Sequence, residues 1–238
     1  MSKISLKHSG GNVVSLNSPT NAPGAADVAF KLPNQDGSAN EYLKTDGSGN
    51  LSFGAVSSDY VKLQGATGAG GTGDLIIDNL DVATYKYFDF MLAFVPATDN
   101  VSTRFSFRTG GASGTAVSGS YYQHGFDLMY PNNGQTQNAA NDQTDIYLSE
   151  AVGNDTGEGI SLQMRISMAD SNDNGNTAYL TNFVNWAFYN KAINGSNRHG
   201  HGTGTFKQNT TTYPTGFKID TTSGNIGNFS YILYGLKR

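Results

Sequence analysis

Ile160-Ser161-Leu162-Gln163-Met164-Arg165-Ile166-Ser167-Met168 alternates apolar and polar residues without a break. A period of two puts every second side chain on one face of an extended chain, so the stretch predicts a β-strand with one face on a core and one in water. A helix does not compete, because it needs its apolar residues three and four apart. The pattern recurs upstream, where Val101, Thr103, Phe105 and Phe107 alternate with Ser102, Arg104, Ser106 and Arg108. Phe88, Phe90, Leu92 and Phe94 form another inward face. Further strands are predicted at 74–78, 119–130, 144–151, 177–190, 200–207, 216–220 and 228–236, roughly ten in all.

Turn clusters separate these runs: Thr109-Gly110-Gly111, Pro131-Asn132-Asn133-Gly134, Gly153-Asn154-Asp155, residues 171–176 and Asn194-Gly195-Ser196-Asn197. Gly and Asn tolerate the left-handed conformations that tight turns require, and Pro stops a ladder. No amphipathic helix of useful length is legible. The fold class expected is therefore all-β: a short N-terminal extended or β stem followed by an antiparallel, jelly-roll-like β-sandwich. Two packed sheets are required, since a lone sheet buries too little apolar surface to offset the ordering entropy.

Composition narrows the function classes. Charged residues make up only 14% of the 238 residues, against about 25% in an average domain. Hydrophobic residues at 37% and aromatic ones at 11% are too frequent for a chain disordered throughout. A net charge of −4 removes the electrostatic attraction on which nucleic-acid binding rests, so no nucleic-acid partner is expected. With no Cys, disulfides, thiolate metal sites and cysteine nucleophiles are excluded. The longest strongly apolar stretch, 88–95, includes Asp89 and falls far short of the ~20 residues of a membrane-spanning helix, so no membrane insertion is expected. Lys3 and Lys7 are not followed by an apolar run of the signal-peptide kind, and the chain is expected to be made and kept in the cytoplasm until release.

The composition shifts near residue 58. Residues 1–58 carry only three aromatics, Phe30, Tyr42 and Phe53, and turn signals break them at Ser9-Gly10-Gly11-Asn12, Pro23-Gly24, Asn34-Gln35-Asp36-Gly37 and Asp46-Gly47-Ser48-Gly49-Asn50. Strands of three or four residues, at 29–32, 42–44 and 51–53, need an outside surface, most simply copies of themselves in neighbouring chains. Residues 59–73 are expected to be a Gly-rich connector, with 64–73 a hinge or loop, and 74–238 the sandwich head.

Two stretches carry a resemblance. The first is the series His8-Ser-Gly-Gly-Asn-Val-Val-Ser-Leu-Asn-Ser-Pro19, then Ala25-Ala-Asp-Val-Ala-Phe-Lys-Leu-Pro33, then Tyr42-Leu-Lys-Thr-Asp-Gly-Ser-Gly-Asn-Leu-Ser-Phe53. It resembles the N-terminal segment of virion fibre proteins of tailed bacteriophages, especially marine and cyanobacterial ones. The second runs from 85–96 through Arg104-Phe-Ser-Phe-Arg-Thr-Gly-Gly111 and Ser120-Tyr-Tyr122 to Ile226-Gly-Asn-Phe-Ser-Tyr-Ile-Leu-Tyr-Gly-Leu236, and it is similar to the heads of the same proteins. The resemblance implies a homotrimer located in the virion and assembled in the host cytoplasm. It also implies a stem at 1–58 that joins other virion proteins of tail or capsid, and a head that touches host-surface polysaccharide. The short stem departs from the long shaft of a tail fibre, so a capsid-bound fibre or decoration protein and a small polysaccharide-cleaving tailspike stand as alternatives.

The candidate chemistry is sparse. Asp170-x-Asn172-x-Asn174-Gly175 matches half of a calcium loop, but Thr181 stands where the loop needs a bidentate Glu, so a hairpin turn is the better reading. His199 and His201, two apart on one strand face, lack a third ligand nearby, and His8 and His124 are distant in sequence. No metal and no cofactor are expected. Asp142, Asp145, Glu150, Asp155 and Glu158 supply carboxylates, but no Gly-x-Ser-x-Gly elbow or other catalytic set is present, so no enzyme activity is expected. Ligand binding is assigned to aromatics in polar loops, Tyr121, Tyr122, Tyr130 and Tyr213, whose ring faces can meet sugar rings. Trp186, flanked at two residues by Val184 and Phe188, is assigned to the core.

Overall fold

The computed structural model of the chain describes residues 3–7, 9–17, 24, 30–69, 71, 73–117, 122–130, 134–168, 182–191, 196–206 and 213–237. It divides into two units, Met1–Ser58 and Asp59–Arg238. The first unit holds two antiparallel hairpins, β1 (Lys3–Lys7) with β2 (Val13–Asn17) and β3 (Glu41–Thr45) with β4 (Leu51–Ala55). β3 and β4 reach five residues each, longer than the 42–44 and 51–53 that the sequence suggested. The turn closing the second hairpin is held by Asp46, whose carboxylate accepts hydrogen bonds from the Ser48 and Asn50 amides at 2.8 and 3.2 Å. All buried hydrophobic residues among the described ones lie at Leu75 or beyond, so no described side chain of the first unit belongs to the core.

The second unit is an antiparallel sandwich of β5 (Tyr60–Gly68), β6 (Leu75–Ile77), β7 (Tyr85–Pro96), β8 (Val101–Thr109), β9 (Thr115–Ala116), β10 (Tyr122–Met129), β11 (Gln135–Gln143), β12 (Ile146–Val152), β13 (Gly159–Ser167), β14 (Phe183–Lys191), β15 (Asn197–Phe206), β16 (Gly216–Thr221) and β17 (Ile226–Lys237). The larger sheet has eight strands in the order β11-β10-β15-β14-β13-β7-β17-β5. The smaller runs β12-β8-β16-β6, with β9 beside β8. The two orders are related: β13, β7, β17 and β5 in the larger sheet are each joined directly in sequence to β12, β8, β16 and β6 in the smaller. A four-stranded ribbon thus folds over onto itself at one end, which is the winding of a jelly roll.

The four corners of this fold, 69–74, 97–100, 153–158 and 222–225, are tied together by backbone and side-chain hydrogen bonds. Ala97 N donates to Asn225 O at 2.9 Å, Ile226 N to Gly73 O at 3.3 Å and Asn154 N to Asp99 Oδ1 at 3.3 Å. The chain enters the sandwich at the opposite end, where Lys237 N donates to Asp59 O at 2.8 Å.

Between the sheets lie the residues the alternation selects. Phe88, Phe90, Phe105, Phe107, Phe217, Ile146 and Leu148 are fully buried. Phe217 meets Phe90 edge-on at 5.1 Å and stacks on Phe105 at 5.5 Å. Three glycines at alternate inward positions of β15 make room for large neighbours. A Cβ on Gly202 would meet both Phe126 Cβ and Trp186 Cζ2 at 2.5 Å, and one on Gly204 would meet Ile146 at 2.7 Å. On the outer face of the smaller sheet, charges pair across strands. Arg108 forms a two-pronged bond to Asp78 at 2.9 and 3.0 Å, with both side chains nearly buried. Arg104 does the same with Asp220 at 2.9 and 3.0 Å.

Two expectations need correction. The stretch 59–73 is not a connector throughout, because Tyr60–Gly68 is a strand paired along its length with β17. Its glycines serve packing rather than bending: the Phe229 ring lies over Gly68, where a Cβ would come within 2.4 Å of Phe229 Cε1. The second correction is β11, Gln135-Thr-Gln-Asn-Ala-Ala-Asn-Asp-Gln143, an edge strand the periodicity did not reveal.

Candidate functional site

The larger sheet turns one face to solvent, and its cross-strand rows can be read from the registers. One row sets Gln137, Asp127, His201, Ala187, Gln163 and Met91 side by side on successive strands. The next sets Ala139, Gly125, Thr203, Asn185, Arg165 and Asp89. Towards the corner end, a third continues from Tyr189 through Ser161 and Ala93 to Ser230. Inward neighbours such as Phe126, Trp186, Phe188 and Leu162 are buried, so these rows are the solvent face by alternation.

The third row makes a shelf. Tyr189 is half exposed at 50%, and the next positions along the row, Ser161, Ala93 and Ser230, are all small. A large amphipathic ring therefore borders a floor with no bulk on it. The depression has a volume of about 430 Å³, and Glu158, Lys191 and Asn228 stand on its rim. That volume lies within the range of small-ligand sites, and the mixture of one aromatic with several hydroxyl, amide and charged groups suits a ring-shaped polar ligand. Gly157 and Glu158 come from the 153–158 corner, where Asp155 N donates to Glu158 Oε2 at 3.1 Å and Glu158 N to Asp155 O at 2.9 Å. The site is thus built on strands and a hydrogen-bonded turn, at the end away from Asp59.

The tyrosines expected to bind ligand are not brought together. Tyr122 is fully buried: its hydroxyl accepts from Phe107 N at 2.9 Å and donates to Val117 O at 3.2 Å, and its ring packs on Phe206 at 5.0 Å. It has no ring face to offer, and its assignment as a ligand residue is corrected to core. Burial also pushes its phenol well above the ordinary range. Tyr130, at the other end of β10, carries the Arg198 guanidinium over its ring at 5.1 Å. Tyr213 is half-buried just before β16. Tyr121, His8 and the Asp170 to Gly175 turn lie outside the described residues. Trp186 is buried, as expected, and its Nε1 donates to Leu148 O on the smaller sheet at 2.9 Å.

The sequence reading missed Tyr189, although the signal was present. In Phe183-Val-Asn-Trp-Ala-Phe-Tyr-Asn-Lys191, Val184, Trp186 and Phe188 set the inward phase, and Tyr189 is a large aromatic out of phase with them. Among the carboxylates weighed for hydrolysis, Glu150 accepts from Asn138 Nδ2 at 2.5 Å and Asp145 sits 3.7 Å from Arg104, so both are engaged in structural contacts. His201 Nε2 lies 3.7 Å from Asp127, and no cluster of three or more metal-binding side chains occurs among the described residues.

His124 is the one buried imidazole described. It lies between Phe126 and Tyr147, with ring centroids 6.4 and 5.7 Å away, and burial holds its pKa below the ordinary 6.5 while Asn138 opposes the shift. A depressed histidine contributes stability that is full above its unfolded pKa and is lost as pH falls below about 6.5. The melting temperature of the wild type is expected to drop more between pH 7.5 and 5 than that of His124→Gln, with calorimetry as the readout. Equal slopes would show that His124 does not set the acid sensitivity of the fold.

In comparisons with known proteins, no family model, no curated protein and no solved structure matches the chain.

Proposed function

We propose that the chain is a structural, adhesive protein of a tailed-phage virion: a short fibre-like appendage whose N-terminal unit joins it to copies of itself, as a homotrimer, and to other virion proteins, and whose sandwich meets host-surface glycans without cleaving them. The observation that carries the adhesive part is the Tyr189 shelf, an exposed aromatic beside a floor of small residues on a rigid sheet. Support for the joining part comes from the first unit. Tyr42, Leu43 and Phe53 of its second hairpin are 46%, 50% and 39% exposed, with Phe30, Leu32 and Val56 exposed beside it, and a two-stranded hairpin with such side chains gains stability when something covers them.

The test uses the purified full chain as a competitor of adsorption by the phage that encodes it. The chain is expected to block adsorption, and Tyr189→Ala is expected to weaken the block about tenfold at unchanged melting temperature, as for a tyrosine at the centre of a contact. Light scattering of the same sample is expected to give three times the chain mass. A chain that leaves adsorption untouched is a shell-decorating protein instead, and release of reducing sugar from host polysaccharide would make it a cleaving spike.

A further inference from the structure

Beside the shelf, the larger sheet carries a second and longer depression. A trough of about 600 Å³ lies over β11, β10, β15 and β14, and a further hollow of about 300 Å³ continues over β14, β13 and β7. Asn185 and Trp186 line both. Together they cross successive strands from β11 to β7, a path of about 24 Å at the ordinary inter-strand spacing. The floor is low because Gly125, Ala139 and Ala187 carry little or no side chain.

The chemistry along this groove is uniform. Gln137, Asn185, Thr203 and Gln163 present amides and a hydroxyl, and among the described residues their side chains make no hydrogen bond to protein. Asp127 adds a carboxylate, 3.7 Å from His201 Nε2. The strongest cation in the groove, Arg165, is already neutralised by Asp89 through two bonds of 2.7 Å. An anionic polymer would find no spare positive charge here and one repelling carboxylate. A polymer of neutral hydroxylated rings would find donors and acceptors spaced along a groove that crosses six strands.

We infer that this groove binds an internal stretch of a neutral polysaccharide. The inference rests on the adhesive reading above and specifies its ligand class. The groove also provides its own probe: a Cβ on Gly125 would meet nothing closer than 3.8 Å, so a large residue there fills the groove without strain.

The experiment presents the full chain to immobilised bacterial surface polysaccharides, neutral ones and ones rich in uronate, sialate or phosphate. Retention is expected on a neutral polymer, with competition by its hexasaccharide and none by its monosaccharide. Gly125→Phe is expected to cut that affinity about tenfold or more, with melting unchanged. Asn185→Ala, which removes an exposed amide only, is expected to cut it severalfold and serves if Gly125→Phe folds poorly. Retention on acidic polymers alone, on no polymer, or equally by wild type and both folded variants would overturn the inference. In the adsorption assay, a Gly125→Phe chain that still blocks the phage would sink the groove while leaving the adhesive reading standing. A wild-type chain that blocks nothing would remove that reading itself.

Discussion

Replacing Arg108 with Ala is expected to destabilise the sandwich by about 3–5 kcal/mol, because it strands a buried carboxylate. Arg108 and Asp78 are each only 9% exposed in their side chains, and they meet through both prongs at 2.9 and 3.0 Å. The guanidinium also donates to Gly114 O, holding down the loop between β8 and β9. Removing it leaves Asp78 in a poorly hydrated place with no counter-charge, and leaves that carbonyl without its donor. The two causes can be separated. Arg108→Met combined with Asp78→Leu removes both charges and keeps the volume, and it is expected to recover most of the loss, since a buried pair contributes little beyond what apolar replacements supply. Chemical denaturation of the three proteins gives the comparison, and a double variant as unstable as Arg108→Ala would show that packing or the loop contact dominates.

Trp186→Ala is expected to cost about 4 kcal/mol, within the usual span for emptying a buried aromatic position, and to lower the melting temperature by about 10 °C for a domain of this size. The ring is 4% exposed and packs on Phe126 at 6.3 Å. Its Nε1–H bond to Leu148 O ties β14 to β12, one sheet to the other. The cavity cannot close easily, because the paired position on the adjacent strand β15 is Gly202, which has no side chain to move into it. Trp186→Phe keeps most of the volume and loses the hydrogen bond, so a penalty of about 1–2 kcal/mol is expected. As the only Trp in the chain, it also gives a direct signal, with blue-shifted emission in the native state that moves red on unfolding. A small effect of Trp186→Ala would mean that the two sheets do not depend on this contact.

Much of the architecture was legible because a sandwich writes itself in period two. The strands β7, β8 and β13 could be read residue by residue, since one face is buried in each. Where burial is one-sided but weak, the code fades. β11 is an edge strand with exposed or half-buried side chains throughout, so Gln135 to Gln143 shows no alternation. β5 was hidden for a different reason: glycines that look like slack in a sequence are here the places where Phe229 and its neighbours lie close to the backbone. The site was less legible than the fold. Nothing in the local sequence around Tyr122 gives its direction, and only the phase of Phe126 and Leu128 shows that it turns inward. Tyr189 needed the converse argument, an aromatic on the polar phase. The groove at Gly125 is beyond sequence reasoning, because the residues around it become neighbours only through the register of β10, β11, β14 and β15.

The ribbon that folds onto itself has a consequence for synthesis. Strand β17 lies in the interior of the larger sheet, between β7 and β5, and pairs with residues made at the start of the sandwich: Leu236 with Tyr60, and Phe229 with Gly68. Contacts of such long sequence separation form slowly and late. Until β17 has left the ribosome, β7 and β5 each present an open hydrogen-bonding edge, and the nascent chain is exposed to pairing with its neighbours on the same messenger. A ribosome that stops before β17 would leave a sheet with a gap in its middle and two strands seeking partners, so the integrity of the sandwich is decided by the twelve residues of β17.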